Sequence, residues 1–323
     1  MVYVLLILGF VLLIKGADYF VEGSSSVAKL LKVPAIIIGL TVVAFGTSMP
    51  EASVSITAAL KGQNSLAVSN VLGSNMFNLL IVLGCSALMR PLRATDSVLK
   101  KEFPFSIFIT AAMLLMTTKL AFGKILAGEG EFVLGRISGV VLLIMFVLFL
   151  VLQVKEALKA RNAMPAEDYA VLSPAKSAIF IIGGIAGIVL GGDLVVDSAT
   201  EIAVRFGLSQ TFIGLTIVAM GTSLPELATC IVAAVKKKGA LALGNILGSN
   251  VFNILLILGC SALVTPLSTK GMSYVDLGVL LLSTLLILFS AFTGKEKNSV
   301  DRFDGALMLL VEAAYMVYLF VTL

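Results

Sequence analysis

Val43-Ala44-Phe45-Gly46-Thr47-Ser48-Met49-Pro50-Glu51 recurs as Val218-Ala219-Met220-Gly221-Thr222-Ser223-Leu224-Pro225-Glu226. The offset, 226 − 51 = 175, holds without a gap from residues 16–92 to residues 191–267. A second shared peak, Gly73-Ser74-Asn75-Met76-Phe77-Asn78, returns as Gly248-Ser249-Asn250-Val251-Phe252-Asn253. Each motif puts a carboxylate inside strongly apolar sequence. A duplicated polar motif at membrane-grade hydropathy is how repeat-built transporters assemble a site.

Working outward, the whole chain is 59% hydrophobic and 13% charged, with a mean hydropathy of +1.08. That composition reads as a polytopic membrane protein lying in a lipid bilayer. The absence of Trp only weakens the aromatic-belt signal. The chain has no His, which excludes histidine catalysis, relays and metal sites. Cys85, Cys230 and Cys260 sit in apolar runs with no metal-ligand spacing and read as small buried hydrophobes. No basic cluster is interleaved with aromatics, so no nucleic acid is expected. No obligate protein partner and no cofactor are expected either. The N-terminal apolar run lacks a basic leader and a cleavage site and reads as a retained first span.

Hydropathy gives about ten helices of bilayer length: residues 2–23, 33–60, 66–89, 103–121, 132–153, 177–201, 208–235, 241–264, 274–293 and 303–322. The fold class is thus an all-α polytopic membrane protein with two five-helix repeats. The repeats take up residues 1–155 and 177–323, joined by a connector at 156–176. An odd number of spans per repeat inverts the second copy. With the N-terminus outside, sixteen Lys and Arg fall in inward loops (among them Arg90, Arg93, Lys100, Lys101 and Lys236–Lys238). Only Lys61, Lys119, Lys124, Arg136, Arg205 and Lys270 fall outside. The bias predicts both termini outside and a cytoplasmic connector. The Lys236–Lys238 run is expected to be a solvated topology signal.

Glu51 and Glu226 lie well inside spans, where a charge costs about 2.5–3.5 kcal/mol on insertion scales. No Lys or Arg in either motif is placed to neutralise them. Mobile cations or a proton are the simplest partners. Thr47 is four residues from Glu51, and Thr222 four from Glu226, so each pair is predicted to share a helix face. Pro50 and Pro225 have no N–H, which frees the carbonyls of Gly46 and Gly221 and predicts a helix broken at mid-membrane. Carboxylate, hydroxyl and free carbonyl oxygens suit hard cations such as Ca²⁺ and Na⁺.

Asn70, Ser74 and Asn78 recur every four residues, as do Asn245, Ser249 and Asn253, so each trio lines one helix face. Asn70, Asn75, Asn245 and Asn250 are read equally well as site residues or as interhelical hydrogen-bonders. Asp18 and Glu22, matched by Asp193 and Asp197, are expected near an interface, with Lys15 snorkelling or pairing with them.

These paired G-T-S-x-P-E and G-S-N-x-F-N motifs resemble the alpha repeats of the cation/Ca²⁺ exchanger superfamily, and the likeness extends over nearly the whole chain. It looks most like the prokaryotic sodium/calcium exchangers, which implies a prokaryotic plasma (inner) membrane as its location. The resemblance implies Glu51 and Glu226 as central Ca²⁺ ligands shared with Na⁺, with oxygens from Thr47 and Thr222. It implies carbonyls from Ala44 and Ala219, flanking Na⁺ sites at Ser48, Ser223, Ser74 and Ser249, and completion of the ring by Asn78 and Asn253. The first and sixth helices are implied to slide as a gate. Some family members carry Asp where this chain has Asn253; here the site charge is −2 if both Glu ionise.

The expected function is an antiporter exchanging Ca²⁺ for Na⁺ by alternating access. The alternative is a Ca²⁺/H⁺ antiporter of the same fold, since Glu can carry the proton. A passive channel is disfavoured by the inverted repeats. An enzyme is disfavoured because no HExxH is present, no Ser–His pair is possible, and Gly191-Gly192-Asp193 matches an aspartyl protease poorly.

Overall fold

The computed structural model describes residues 2–94, 98–118, 133–161, 172–206, 219–268, 274–293 and 298–322. The first part of the expected span 208–235, the tail of 103–121, the middle of the connector, and Lys119, Lys124, Lys270, Lys295 and Lys297 lie outside the described residues. The helices are α1 (Val2–Leu30), α2 (Ala35–Thr47), α3 (Met49–Leu60), α4 (Asn64–Met89), α5 (Phe103–Thr118) and α6 (Arg136–Arg161). The second half follows with α7 (Pro174–Arg205), α8 (Ala219–Gly221), α9 (Leu224–Val235), α10 (Gly239–Val264), α11 (Tyr274–Thr293) and α12 (Arg302–Thr322).

Among the described residues, six helices are long and apolar enough to cross a membrane, namely α1, α4, α6, α7, α10 and α12. The α2–α3 pair makes a seventh crossing, bent by 51°. Helices α5, α9 and α11 are shorter and stand in the places of the fourth, seventh and ninth expected spans. Helix α1 runs to Leu30, past the expected end at 23, because Ser24 to Lys29 continue the helix beyond the apolar window. Lys29 in the last turn suits the negative end of the helix dipole. Helix α7 starts early because Ser173 caps it, accepting the Lys176 N–H at 3.3 Å, with Pro174 in the first turn.

Burial separates an inner pair from an outer ring. The most apolar windows of α4 and α10 are 78% and 83% buried, against 22–33% for α1, α6, α7 and α12. The outer helices expose Ile7, Ile144, Ile182 and Leu310 at more than 60%. Such apolar exteriors are what a hydrocarbon solvent selects.

Contacts recur in reciprocal pairs. Two small antiparallel ribbons, absent from the all-helical expectation, join the repeats: β1 (Leu92–Arg93) to β4 (Ser299–Val300), and β2 (Val133–Leu134) to β3 (Leu267–Ser268). They satisfy backbone groups where the helices stop. Helix α1 packs along α7 through glycine. A Cβ on Gly16 would lie 2.6 Å from the Ile188 N, and one on Gly191 would lie 2.5 Å from the Leu13 N. Gly39 on α2 and Gly244 on α10 cross just as closely, with Cα of each 2.9 Å from the other's added Cβ. Small residues allow this backbone approach where water supplies no driving force between helices. The pattern is that of a pseudo-two-fold axis relating the repeats.

One feature breaks the symmetry. Lys236 Nζ lies 2.7 Å from Asp18 Oδ1 and 3.6 Å from Glu22 Oε2. The partner of these acids is therefore Lys236 and not Lys15, and this lysine of the basic run ties the α9–α10 turn to α1 instead of standing free in solvent. Neighbouring Lys238 is pushed down from the ordinary lysine range by burial and by the like charge of Lys236. At the equivalent places, 175 residues away, Lys61, Asp193 and Asp197 are all exposed and form no ion pair with one another.

Candidate functional site

The helix break predicted from Pro50 and Pro225 is present in both repeats. Ser48 (φ −84°, ψ 7°) leaves the helical region between α2 and α3, and Ser223 (φ −93°, ψ 4°) does the same before α9. Each serine then opens a helix with Pro in its first turn and the motif Glu one residue later. The two Glu side chains therefore sit in the first turn of a helix, where the dipole favours a negative charge.

The break overturns one expectation. Thr47 and Glu51 do not share a helix face, because a register of four holds only along an unbroken helix. Each Thr-Ser pair attends the other repeat's carboxylate. Ser48 Oγ donates to Glu226 Oε1 at 3.0 Å, and Ser223 Oγ donates to Glu51 Oε1 at 2.9 Å. Thr47 faces Glu226, and Thr222 faces Glu51. Ser249 Oγ adds a bond to Glu226 Oε1 at 3.2 Å and lies 3.4 Å from Thr47 Oγ1. Its counterpart Ser74 is buried, with no partner for its hydroxyl among the described residues.

Both carboxylates are fully buried and close enough to repel one another when both are ionised. Their second oxygens have no hydrogen-bond donor. Glu51 Oε2, Glu226 Oε2, Asn78 Oδ1 and Asn253 Oδ1 are all buried acceptors without a partner among the described residues. Buried polar atoms are nearly always satisfied, so four such oxygens contributed symmetrically by two repeats need a donor or a cation. The residues fit a hard cation, being oxygen-only with two formal charges.

A second tier holds the threonines and carboxylates in place. Asn70 Nδ2 donates to Ser55 Oγ at 2.9 Å and to the Glu51 carbonyl at 3.4 Å, while its Oδ1 accepts from Thr222 Oγ1 at 3.5 Å. Asn245 mirrors it, with Nδ2 to Cys230 Sγ at 3.2 Å and Oδ1 accepting from Thr47 Oγ1 at 3.1 Å. Ser55 and Cys230 lie outside both sequence motifs yet are equivalent struts, and their offset of 175 is the signal that identifies them. Asn75 and Asn250 likewise bond across the repeats. Interhelical hydrogen bonding is therefore what all four of these asparagines do.

The carbonyl candidates differ between repeats. Ala44 O accepts the Ser48 N–H at 3.0 Å and Thr47 Oγ1 at 3.5 Å. In the second repeat the Ser223 N–H goes to Met220 O at 3.1 Å, and Ala219 opens the short α8. Turns of π-helix run through Gly39–Val43, Asn78–Val82 and Phe252–Ile257. Two of them carry the site asparagines, as such bulges often do at functional sites.

Known proteins share this architecture. The chain matches the family described as "Sodium/calcium exchanger protein" over residues 1–155 and 176–322. It is 39% identical to the putative antiporter CaxA of Alkalimonas amylolytica, over 98% of both chains. It is 39% identical to the inner membrane protein YrbG of Escherichia coli (strain K12), over 94% of this chain and 92% of that one. It is 32% identical to the sodium/calcium exchanger MaX1 of Methanosarcina acetivorans, over 98% of both. The solved structure of the sodium-calcium exchanger NCX_Mj soaked with Na⁺ and Sr²⁺ superposes with a TM-score of 0.81 at 31% identity, covering 98% of this chain and 99% of that one. CaxA, MaX1 and NCX_Mj bear the names of transporters and not of enzymes, and NCX_Mj shares the helical membrane fold described above. The chain belongs to the sodium/calcium exchanger family of membrane antiporters.

Proposed function

We propose that this antiporter moves Ca²⁺ in exchange for Na⁺ by alternating access around the Glu51–Glu226 site. The observation that carries this reading is the set of four buried, donor-less oxygens on Glu51, Glu226, Asn78 and Asn253. Oxygens of Thr47, Thr222, Ser48, Ser223, Ser74 and Ser249, with carbonyls of Ala44 and Ala219, complete the ion positions. One Ca²⁺ or two Na⁺ neutralise two ionised carboxylates. Competing ions then exclude one another, because they need the same charges. An empty site would carry two unpaired buried charges through the occluded state, which is strongly unfavourable. Exchange therefore replaces leak. In the membrane of a prokaryotic cell the halves 1–155 and 177–323 face opposite leaflets, with both termini outside and the 156–176 connector in the cytoplasm.

The test is Ca²⁺ uptake into proteoliposomes with the counter-ion gradient varied one ion at a time. A Na⁺ gradient at matched pH should drive uptake. Uptake driven by a pH gradient alone would instead assign Ca²⁺/H⁺ exchange. Glu51→Gln and Glu226→Gln should each nearly abolish flux while the protein stays folded in the membrane. Normal flux in either variant contradicts the proposal.

A further inference from the structure

We infer that Asn75 and Asn250 are positioning residues that aim the amide oxygens of Asn253 and Asn78 at the transported cation. The inference rests on the proposed reading that Asn78 and Asn253 line the ion site, and it adds the device that makes a neutral amide usable there.

An asparagine side chain is nearly symmetric in shape and opposite in charge at its two ends. One end is an acceptor oxygen and the other a pair of donors. Beside a cation, the wrong flip turns attraction into repulsion. The hydrogen-bond network decides the flip. A backbone carbonyl can only accept, so it sets the direction of everything bonded after it. Asn75 Nδ2 donates to the Asn250 carbonyl at 3.5 Å. That directs Asn75 Oδ1 the other way, where it accepts from Asn253 Nδ2 at 3.0 Å. Asn253 has then used its NH₂ end, and its Oδ1 is left buried and without a donor.

The mirror image is complete. Asn250 Nδ2 donates to the Asn75 carbonyl at 3.5 Å, and Asn250 Oδ1 accepts from Asn78 Nδ2 at 3.2 Å. Asn78 Oδ1 is left in the same condition. Asn75, Asn78 and Asn253 are fully buried and Asn250 nearly so, so water does not compete for these groups. The two long bonds set direction, and the two shorter amide–amide bonds transmit it. Reversing Asn75 or Asn250 would set its oxygen against a backbone carbonyl and its NH₂ against the NH₂ of Asn253 or Asn78; reversing Asn253 or Asn78 would set its oxygen against the Oδ1 of Asn75 or Asn250.

A carboxylate cannot present a wrong end, because both of its oxygens are acceptors. The Asn253→Asp variant would therefore have no need of Asn75 for aiming, and this difference gives the test. Initial rates of Ca²⁺ uptake are measured in proteoliposomes as a function of Ca²⁺, in four proteins: the parent, Asn75→Ala, Asn253→Asp, and Asn75→Ala combined with Asn253→Asp. Asn75→Ala should raise KM for Ca²⁺ about tenfold or more in the parent background, the order expected from misplacing one ligand bond. In the Asn253→Asp background the same change should raise KM by less than about threefold or lower it, because Asn75 Oδ1 there faces a carboxylate oxygen in place of a donor. Equal losses in both backgrounds would overturn the aiming role and leave Asn75 a packing residue, with the site reading intact. A separate Asn253→Ala that keeps the parent KM would remove Asn253 from the site, sinking the site reading and this inference with it. Should Asn75→Ala fail to fold, the mirror cycle of Asn250→Ala with Asn78→Asp reads the same quantity.

Discussion

Replacing Gly191 with alanine should destabilise the protein, while the same change at the next residue, Gly192, should not. An added Cβ at 191 would sit 2.5 Å from the Leu13 N, 2.8 Å from the Gly9 O and 2.9 Å from the Leu13 Cα. All three are backbone atoms of α1 and cannot rotate away. At 192 an added Cβ meets nothing within 4 Å. Both substitutions raise helix propensity by the same amount, about 1 kcal/mol in a helix interior. The difference between the two variants therefore isolates the overlap of α1 with α7, on the order of 1–3 kcal/mol for overpacking. For a 323-residue chain each kcal/mol moves a thermal midpoint by roughly 1.5 °C. Thermal unfolding of the detergent-purified variants, followed by circular dichroism or by the monomer surviving gel filtration, reads that difference directly. Gly191→Ala should melt roughly 1.5–5 °C below Gly192→Ala. Equal midpoints would mean that α1 and α7 do not pack backbone to backbone, and the glycine seam would lose its meaning.

Ser48→Ala and Ser223→Ala each remove one hydroxyl bond to a buried carboxylate, worth about 1.5–3 kcal/mol. Each should weaken apparent Ca²⁺ affinity by at least about tenfold in the uptake assay and by similar factors, since the residues are equivalent; an unchanged affinity would contradict the cross-repeat pairing. Lys237 holds a left-handed backbone (φ 63°) where its counterpart is Gly62 (φ 72°). Lys237→Gly should raise stability by about 1 kcal/mol, visible as a higher melting midpoint. Lys236→Met breaks the ion pairs to Asp18 and Glu22, which are partly exposed. The cost should stay below about 1 kcal/mol and vanish in high salt, when melting midpoints are compared across ionic strengths.

The repeat offset, the apolar spans and the Pro-induced break were legible because each is a local property of sequence. Pro50 removes a specific hydrogen bond wherever the chain goes. Pairing of Thr47 with Glu51 fails because the face rule assumes a continuous helix, and the break that the same motif announces cancels it. The choice for Asn70 and Asn75 stayed open because an asparagine on a helix face shows its spacing but not its partner. Lys236 finds Asp18 through tertiary packing, and no window along the chain contains both. The fifth helices also repeat: Gly139 packs on Gly259 as Gly305 packs on Gly84. Their offset is 305 − 139 = 166, so an alignment without gaps stops before reaching them.

The Lys236 clasp on α1 has a counterpart in composition but not in contact, since Lys61 stands apart from Asp193 and Asp197. A perfectly mirrored molecule would present identical doorways to the two compartments it divides. Here a weak charge clasp reaches α1 at one doorway, while Lys61 at the other makes no ion pair with Asp193 or Asp197, so the two entrances differ in charge pairing. A lysine and two acids wait, unclasped, at Lys61, Asp193 and Asp197 in the mirrored position.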